Sequence, residues 1–139
     1  MMLLLGLVLS GCAGRSVYET TPGKDEAGTS AMEQAITPAS RSLLQTSRDQ
    51  SASGNYVQAA ASLERAIRID STQPLLWLEL GRVRLLEGNY SQAEQLGRKA
   101  RTLSAGNATA EAQSVQLIAD ALRGQGRYHD AYLVLSPDD

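Results

Sequence analysis

Few side chains in this sequence could take part in covalent or proton-transfer chemistry. His129 is the single histidine and Cys12 the single cysteine. A nucleophile needs a base beside it, and a metal ion needs several His, Cys or carboxylate ligands at suitable spacing. The sequence contains neither pattern, and it contains no glycine-rich phosphate loop. We therefore expect no catalytic residue, no metal site and no cofactor, which means that the protein is not an enzyme.

Cys12 lies in a context that indicates lipid attachment. Residues 1–9 form an apolar run, which is shorter than the roughly 20 residues that a membrane span needs. Leu9, Ser10 and Gly11 then precede Cys12. Small residues give a signal peptidase access to the backbone, and the thiol accepts the lipid. The tetrad resembles the lipobox of bacterial lipoproteins, which implies a signal peptide over residues 1–11 and lipidated Cys12. The alternative is a cysteine that follows an apolar end by chance.

The residues after Cys12 bear on where the lipid would hold the chain. In lipoproteins of bacteria with two membranes, Asp directly after the cysteine favours retention in the inner membrane. Here Ala13 and Gly14 follow, so the resemblance implies the periplasmic face of the outer membrane. In a bacterium with one membrane, the same signal implies the outer face of the plasma membrane.

Composition limits the class of protein and the partners it can have. The chain has 139 residues and a net charge of −2, which gives no reason to expect nucleic acid as a partner. Apolar residues make up 42% of the sequence, with no Phe and one Trp. A core of Leu, Ile, Val and Ala suits close helix packing in one small domain.

Residues 12–37 read as a linker between the lipid and the domain. Gly, Ser, Thr, Pro, Glu and Lys dominate, and Met32 and Ile36 are isolated apolar residues. Such a segment cannot bury enough apolar surface to offset the entropy of ordering it. We therefore expect it to be flexible. The alternative is that residues near 31–36 extend the first helix, but Thr37 followed by Pro38 reads better as the cap and first residue of that helix, which begins a domain over residues 38–139.

A short phrase recurs through the domain. Residues 54–59 read GNYVQA and residues 88–93 read GNYSQA, a return after 34 residues. A weaker copy, GRYHDA, covers residues 126–131. Gly and Asn end one helix and begin the next, with Asn55 and Asn89 at capping-box spacing from Gln58 and Gln92. A fixed period of about 34 residues is typical of stacked helix pairs.

The central copy resembles the tetratricopeptide repeat. The residues that match the family pattern are Trp77, Leu80, Gly81, Gly88, Tyr90, Ala93 and Ala100. Arg84, Gly97 and Ala105 replace the first Tyr, the Phe and the closing Pro of that pattern. The resemblance implies an all-α fold, a right-handed α-solenoid of three tetratricopeptide helix pairs, with repeats at about 38–72, 73–106 and 107–136. The alternative is an unrelated Ala-rich bundle of six helices.

In this family the first helix of each pair lines a shallow groove. The resemblance places there Arg41, Leu44 and Arg48 of repeat one, Leu75, Leu78, Glu79 and Arg82 of repeat two, and Gln113, Gln116, Asp120 and Arg123 of repeat three. Arginine presents a planar fork to carboxylates. Our hypothesis is a groove for an acidic or C-terminal peptide, and the alternative is that these arginines are ordinary solvated helix positions. Leu44 and Glu79 stand where the family's carboxylate clamp would need polar or basic residues, so chaperone-tail binding of that type is not expected.

The last helix ends the solenoid on apolar residues. Residues 131–135 read AYLVL, and no solvating helix follows them in the sequence. Five consecutive apolar residues cannot all face the core of one helix. We therefore expect a partly exposed apolar strip at the C-terminal end.

The plan of lipobox, linker and compact repeat domain resembles the outer-membrane lipoproteins that activate bifunctional penicillin-binding proteins in pseudomonads. That resemblance implies a penicillin-binding protein as partner, a membrane contact through the lipid, and no small-molecule substrate. Two other readings remain open. One is a pilotin that escorts secretin subunits, although tetratricopeptide pilotins look longer, and the other is a generic envelope scaffold.

Overall fold

The computed structural model describes residues 23–136, apart from the side chains of residues 24 and 25. The expected signal peptide and Cys12 lie outside these residues. Seven α-helices occupy the described part of the chain, at α1 Lys24–Ala35, α2 Pro38–Ala52, α3 Tyr56–Ile69, α4 Pro74–Leu86, α5 Tyr90–Leu103, α6 Ala108–Gly124 and α7 Tyr128–Leu135. The last six form three antiparallel pairs, α2 with α3, α4 with α5 and α6 with α7, stacked in chain order. The expected all-α solenoid of three helix pairs is confirmed.

The repeated phrase makes the turn inside each pair. Gly54, Gly88 and Gly126 adopt φ of 77°, 76° and 75°, the left-handed conformation that glycine reaches without a Cβ clash. The Asn89 side chain accepts a hydrogen bond from the Gln92 N–H and caps α5. Asn55 makes no such bond at the start of α3, so the expectation that both copies cap in the same way is wrong for the first.

Helix starts elsewhere follow the sequence closely. Thr37 caps α2 by accepting from the Ser40 N–H, and Pro38 is its first residue. Pro74 begins α4, where its missing N–H would have no partner in any case. Asn107 caps α6 by accepting from the Ala110 N–H at 2.9 Å. The start of α2 agrees with the position expected from the sequence, and Pro74 and Asn107 are residue types that favour a helix start.

Small residues bring the helix pairs close together. Gly97 of α5 lies against α6, and a Cβ added there would lie 2.9 Å from Cγ1 of Ile118 and 3.3 Å from Cγ of Leu117. Ala93 and Ala100, on the same face of α5, are fully buried. These small residues let α5 and α6 pack closely, and this face joins the second repeat to the third.

The N-terminal helix α1 is the main departure from the sequence-based expectation. It occupies residues that we expected to be flexible linker, so that expectation is wrong for Lys24–Ala35. Met32 and Ile36 are 4% and 2% exposed and belong to the main core. These apolar residues are isolated in the sequence, but their spacing of four places them on one helix face.

The C-terminal helix α7 leaves apolar surface open, as expected. Ala131 is buried, whereas Tyr132, Leu133 and Leu135 are 55%, 47% and 38% exposed. Val134 packs partly buried against the small core formed with α6. The partly exposed apolar strip at this end of the solenoid is therefore confirmed.

Glu94 of α5 ties the third repeat to the second. Its carboxylate accepts hydrogen bonds from Gln125 at 2.8 Å, from Arg98 at 2.8 Å and from Arg127 at 3.1 Å. Burial raises the pKa of this carboxyl, but the hydrogen bonds from Gln125 and Arg98 and the charges of Arg98 and Arg127 outweigh it, so the pKa of Glu94 lies below its ordinary value of 4.5. The folded chain therefore binds this proton less readily than the unfolded chain does.

We expect Glu94→Gln to flatten the acid limb of the stability profile. A lowered folded-state pKa contributes stability above the unfolded value, and that contribution is lost as pH falls through the folded pKa. Between about pH 6 and 3 the native chain should therefore lose more unfolding free energy than the variant, by about 1 kcal/mol or less for so accessible a network. Urea titrations at several pH values measure this. Glu111→Gln, at an exposed position of α6, is the control, and parallel profiles for native chain and Glu94→Gln would contradict the prediction.

Candidate functional site

The inner wall of the solenoid is built from the first helix of each pair. Helix α4 contacts both α2 and α6 along this wall. All eleven residues that the sequence placed in the groove lie on these three helices. The structure therefore brings the predicted set to one side of the molecule, but it divides the set into buried, paired and open members.

The leucines of the set are core residues. Leu44, Leu75 and Leu78 are 1%, 0% and 0% exposed. Leu44 and Leu75 share a cluster with Met32 and Ile36, and Leu78 packs with residues of α5 and α6. The expectation that these side chains face an open groove is wrong for this conformation, because α1 and the neighbouring helices cover them.

Arg41 holds the C-terminal end of α1. Its Nε donates to the carbonyl oxygen of Glu33 at 3.0 Å, and its Nη2 donates to those of Gln34 and Ile36 at 3.4 and 3.2 Å. The last carbonyls of a helix have no partners within the helix and carry partial negative charge. The guanidinium therefore caps α1 and fixes it to α2.

A chain of polar contacts crosses the wall from α1 to α6 and back. Arg48 pairs with Glu33 of α1 at 2.7 Å and with Glu79 of α4 at 3.0 Å. Glu79 also pairs with Arg82 at 3.1 Å.

The chain continues through amides. Nη2 of Arg82 donates to Gln113 Oε1 at 3.0 Å. Nε2 of Gln113 in turn donates to Thr29 Oγ1 on α1 at 2.8 Å. The arginines expected to await an acidic ligand are thus already bound to acids and amides of this chain.

Arg48 is the centre of this chain of contacts. Partial burial disfavours its charge, but hydrogen bonds to the carboxylates of Glu33 and Glu79 outweigh this effect and raise the pKa of the guanidinium above its ordinary value. Both carboxylates therefore keep a cationic partner over the whole pH range in which they are ionised.

The third-repeat end of the wall is the part that α1 leaves open. A pocket of about 120 Å³ lies between α4 and α6, lined by Arg82, Leu85, Gln113, Gln116, Leu117 and Asp120. Asp120 accepts hydrogen bonds from Gln116 at 2.9 Å and from Arg123 at 2.7 Å. This corner offers amides, a carboxylate and a half-exposed leucine, a mixture suited to contact with a polypeptide.

The described residues include the single histidine of the chain. His129 is exposed in the first turn of α7. No group of three or more His, Cys, Asp or Glu side chains within residues 23–136 could hold a metal ion. None of the helices described is both long and apolar enough to cross a bilayer.

Sequence reasoning missed the contribution of α1 to the site. Glu33 and Thr29 complete the polar contacts, and Met32 and Ile36 complete the core, yet all four lie in the expected linker. The signal that could have found them is the spacing of Gly28, Met32 and Ile36, each four residues from the next, which makes one narrow face of a helix.

Comparison with known proteins fits this architecture. A family model for the tetratricopeptide repeat matches residues 51–114. A solved structure, the globular C-terminal domain of P. aeruginosa LpoP, is similar at 35% sequence identity with a TM-score of 0.72. The match covers 73% of this chain and 96% of that one. No curated protein matches the chain in sequence.

The chain therefore belongs to the tetratricopeptide-repeat family, a class in which stacked helix pairs present a surface for binding. Within that family its similarity is to LpoP, over nearly the whole length of the solved LpoP domain.

We expect Arg48→Gln to loosen α1 without unfolding the domain. The substitution removes the charge-assisted bonds to Glu33 and Glu79, but leaves the three stacked helix pairs intact. Since these bonds are partly exposed, the loss is about 1 kcal/mol, so amide exchange in α1 should speed up about fivefold. Hydrogen exchange resolved by peptide measures this. Arg123→Gln, the same change on α6 where Arg123 pairs with Asp120, is the control, and unchanged exchange in α1 would show that Arg48 does not hold it.

Proposed function

We propose that this chain is a lipoprotein of the outer membrane whose repeat domain binds and activates a bifunctional penicillin-binding protein. The observation that carries the proposal is the 35% identity to the LpoP domain over most of both chains. It supports the resemblance between the plan of this sequence and the activator lipoproteins of pseudomonads.

The proposal divides into an anchor and a binding surface, which can be tested separately. The anchor is Cys12, preceded by Leu9, Ser10 and Gly11. The surface is the inner wall, where three arginines of the candidate site, Arg41, Arg48 and Arg82, lie beside apolar residues of α2 and α4. A groove of this composition suits a peptide segment of the synthase that carries a carboxylate.

We expect Cys12→Ala to release the protein from membranes. A lipid chain contributes about 0.8 kcal/mol for each buried CH₂ group, and the substitution removes the thiol that accepts this lipid. The native chain should fractionate with outer membranes and label with radioactive palmitate, and the variant should do neither. Ser10→Ala, which keeps a small residue in the tetrad, is the control. Unlabelled native chain would contradict lipidation and leave the binding function to the second test.

We expect the chain to raise the glycosyltransferase and transpeptidase rates of its synthase. Arg48→Glu combined with Arg82→Glu should reduce binding by about tenfold or more, because broken charge pairs at an interface cost at least that much. The measurements are lipid II polymerisation and cross-linking with the chain from residue 12 onward, carrying Cys12→Ser for solubility.

The control for this test makes the same change in charge on another face. Arg65→Glu with Arg68→Glu alters two exposed arginines of α3, which is not part of the inner wall. No rate change with any bifunctional synthase of the organism would overturn the activator function, and recovery of a secretin instead in a pull-down would support the pilotin. Binding that survives the Arg48 and Arg82 double substitution would place the interface elsewhere.

A further inference from the structure

Helix α1 is a weak helix that depends on the groove. It has 12 residues, a length at which an isolated helix is marginal in water even with a favourable sequence. Gly28, Thr29 and Ser30 stand in its middle, where each favours the helix less than Ala does. Met32 is the single buried residue among residues 26–35 of α1, and Ile36 directly follows the helix. Little apolar surface therefore holds α1 in place.

The groove beneath α1 is selective in its chemistry. It takes two apolar side chains four residues apart, Met32 and Ile36, into the core beside Leu44 and Leu75. It binds a carboxylate on the residue that follows Met32, because Arg48 pairs with Glu33 at 2.7 Å. It also takes the carbonyl end of a helix, because all three hydrogen bonds of Arg41 go to the last turn of α1 and to Ile36.

We propose that α1 is a displaceable occupant of this groove, and that the groove binds a short acidic helix of a partner that repeats the chemistry of α1. The required helix carries two apolar residues at i and i+4, an acid at i+1 and a free C-terminal end. The inference rests on the proposed function for the source of that helix, a periplasmic segment of the synthase.

The charges of the wall decide in favour of an acidic occupant. When α1 leaves, the Arg41 side chain loses the hydrogen bonds that it makes to the C-terminal end of α1, and Arg48 keeps Glu79 alone. Glu79 is shared with Arg82, so the wall without α1 carries an excess of positive charge beside the core cluster to which Met32 belongs. A neutral or basic helix would leave Arg48 with Glu79 as its one carboxylate partner, whereas an acid at the position of Glu33 restores the second partner. The carbonyl end of the incoming helix restores the contacts of Arg41.

Displacement of α1 also changes how far the domain can reach from a lipid at Cys12. With α1 in place, ten residues separate Cys12 from Gly23, and they can span about 40 Å at most. With α1 released, the connection runs to Thr37 and can span about 85 Å. A partner that takes the groove therefore extends the tether that holds the domain.

The test uses the chain from residue 12 onward with Cys12→Ser, in three altered forms. Gly28→Val loosens α1, because even a Cβ at this position would overlap the side chain of Thr109. Met32→Ser loosens it without a clash, by removing an apolar anchor. Ala31→Val places the same valine side chain at an exposed position of α1 and is the matched control.

A fourth form locks α1 in place. Gly28→Cys with Thr109→Cys sets two thiols on facing elements, with the Cβ of residue 28 at 2.8 Å from that of residue 109. A disulfide needs about 3.5–4.5 Å, so α1 moves outward by about 1 Å when the bond forms. Reduction reverses the lock in the same molecule.

The probe is a fluorescein-labelled synthetic peptide of residues 23–37, followed by fluorescence anisotropy. We expect Gly28→Val and Met32→Ser to bind it about tenfold more tightly than the native chain and Ala31→Val. The clash that the first variant introduces, and the apolar anchor that the second removes, each weaken the binding of α1 to the groove by that factor. The oxidised lock should not bind the peptide and the reduced form should. A peptide with Glu33→Gln should bind less tightly. Equal binding by all forms, or by oxidised and reduced lock, would overturn the proposal.

The synthase supplies a second arm. Its binding to the locked chain should be lost on oxidation and recovered on reduction. If the synthase binds both forms equally while the peptide distinguishes them, the groove is not its site and the inference about the partner helix is overturned. If the synthase binds no form at all, the proposed function fails, and the peptide measurements still decide whether α1 is displaceable.

Discussion

Close approach between neighbouring helices is the constraint on which the rest of this structure depends. Gly97 and the alanines of α5 allow α6 to come within van der Waals contact. Ile118 of α6 occupies the space that a side chain at position 97 would need. The turn glycines, at φ near +75°, reverse the chain tightly enough for each pair to stack on the next. Because the pairs stack in one direction, their first helices lie side by side and form a continuous wall.

That wall carries the polar groups that give the molecule its binding character. Arg48 and Arg82 are within 3.1 Å of Glu79, and no single helix could supply all three charges in this arrangement. The wall is nearly neutral while Glu33 of α1 is present, and it becomes cationic when α1 is absent. Its electrostatic state is therefore set by what occupies it, which is a natural property for a surface that exchanges one helix for another.

Much of the fold could be predicted from the residues, because its signals are local and periodic. The return of GNYxQA after 34 residues fixed the repeat, and Pro38, Pro74 and Asn107 marked helix starts that the structure contains. The eleven groove residues fell on the correct helices for the same reason. Their exposure could not be predicted, since burial of Leu44 and Leu75 depends on α1, which is distant in sequence and too weak in composition to be recognised as a partner.

The sequence by itself determined the class of fold, the turns and caps of most helices, and the cysteine context that indicates an anchor. These features depend on contacts within one or two helical turns, or on a repeat that is visible in the amino-acid sequence. The tertiary structure alone decided that Lys24–Ala35 is a helix and that it lies on the wall. Its stability comes from Arg41, Arg48 and contacts with residues as distant as Gln113, which is 84 positions from Thr29. When the structure of a segment depends on contacts with the rest of the domain, its own residues carry little signal from which that structure could be predicted.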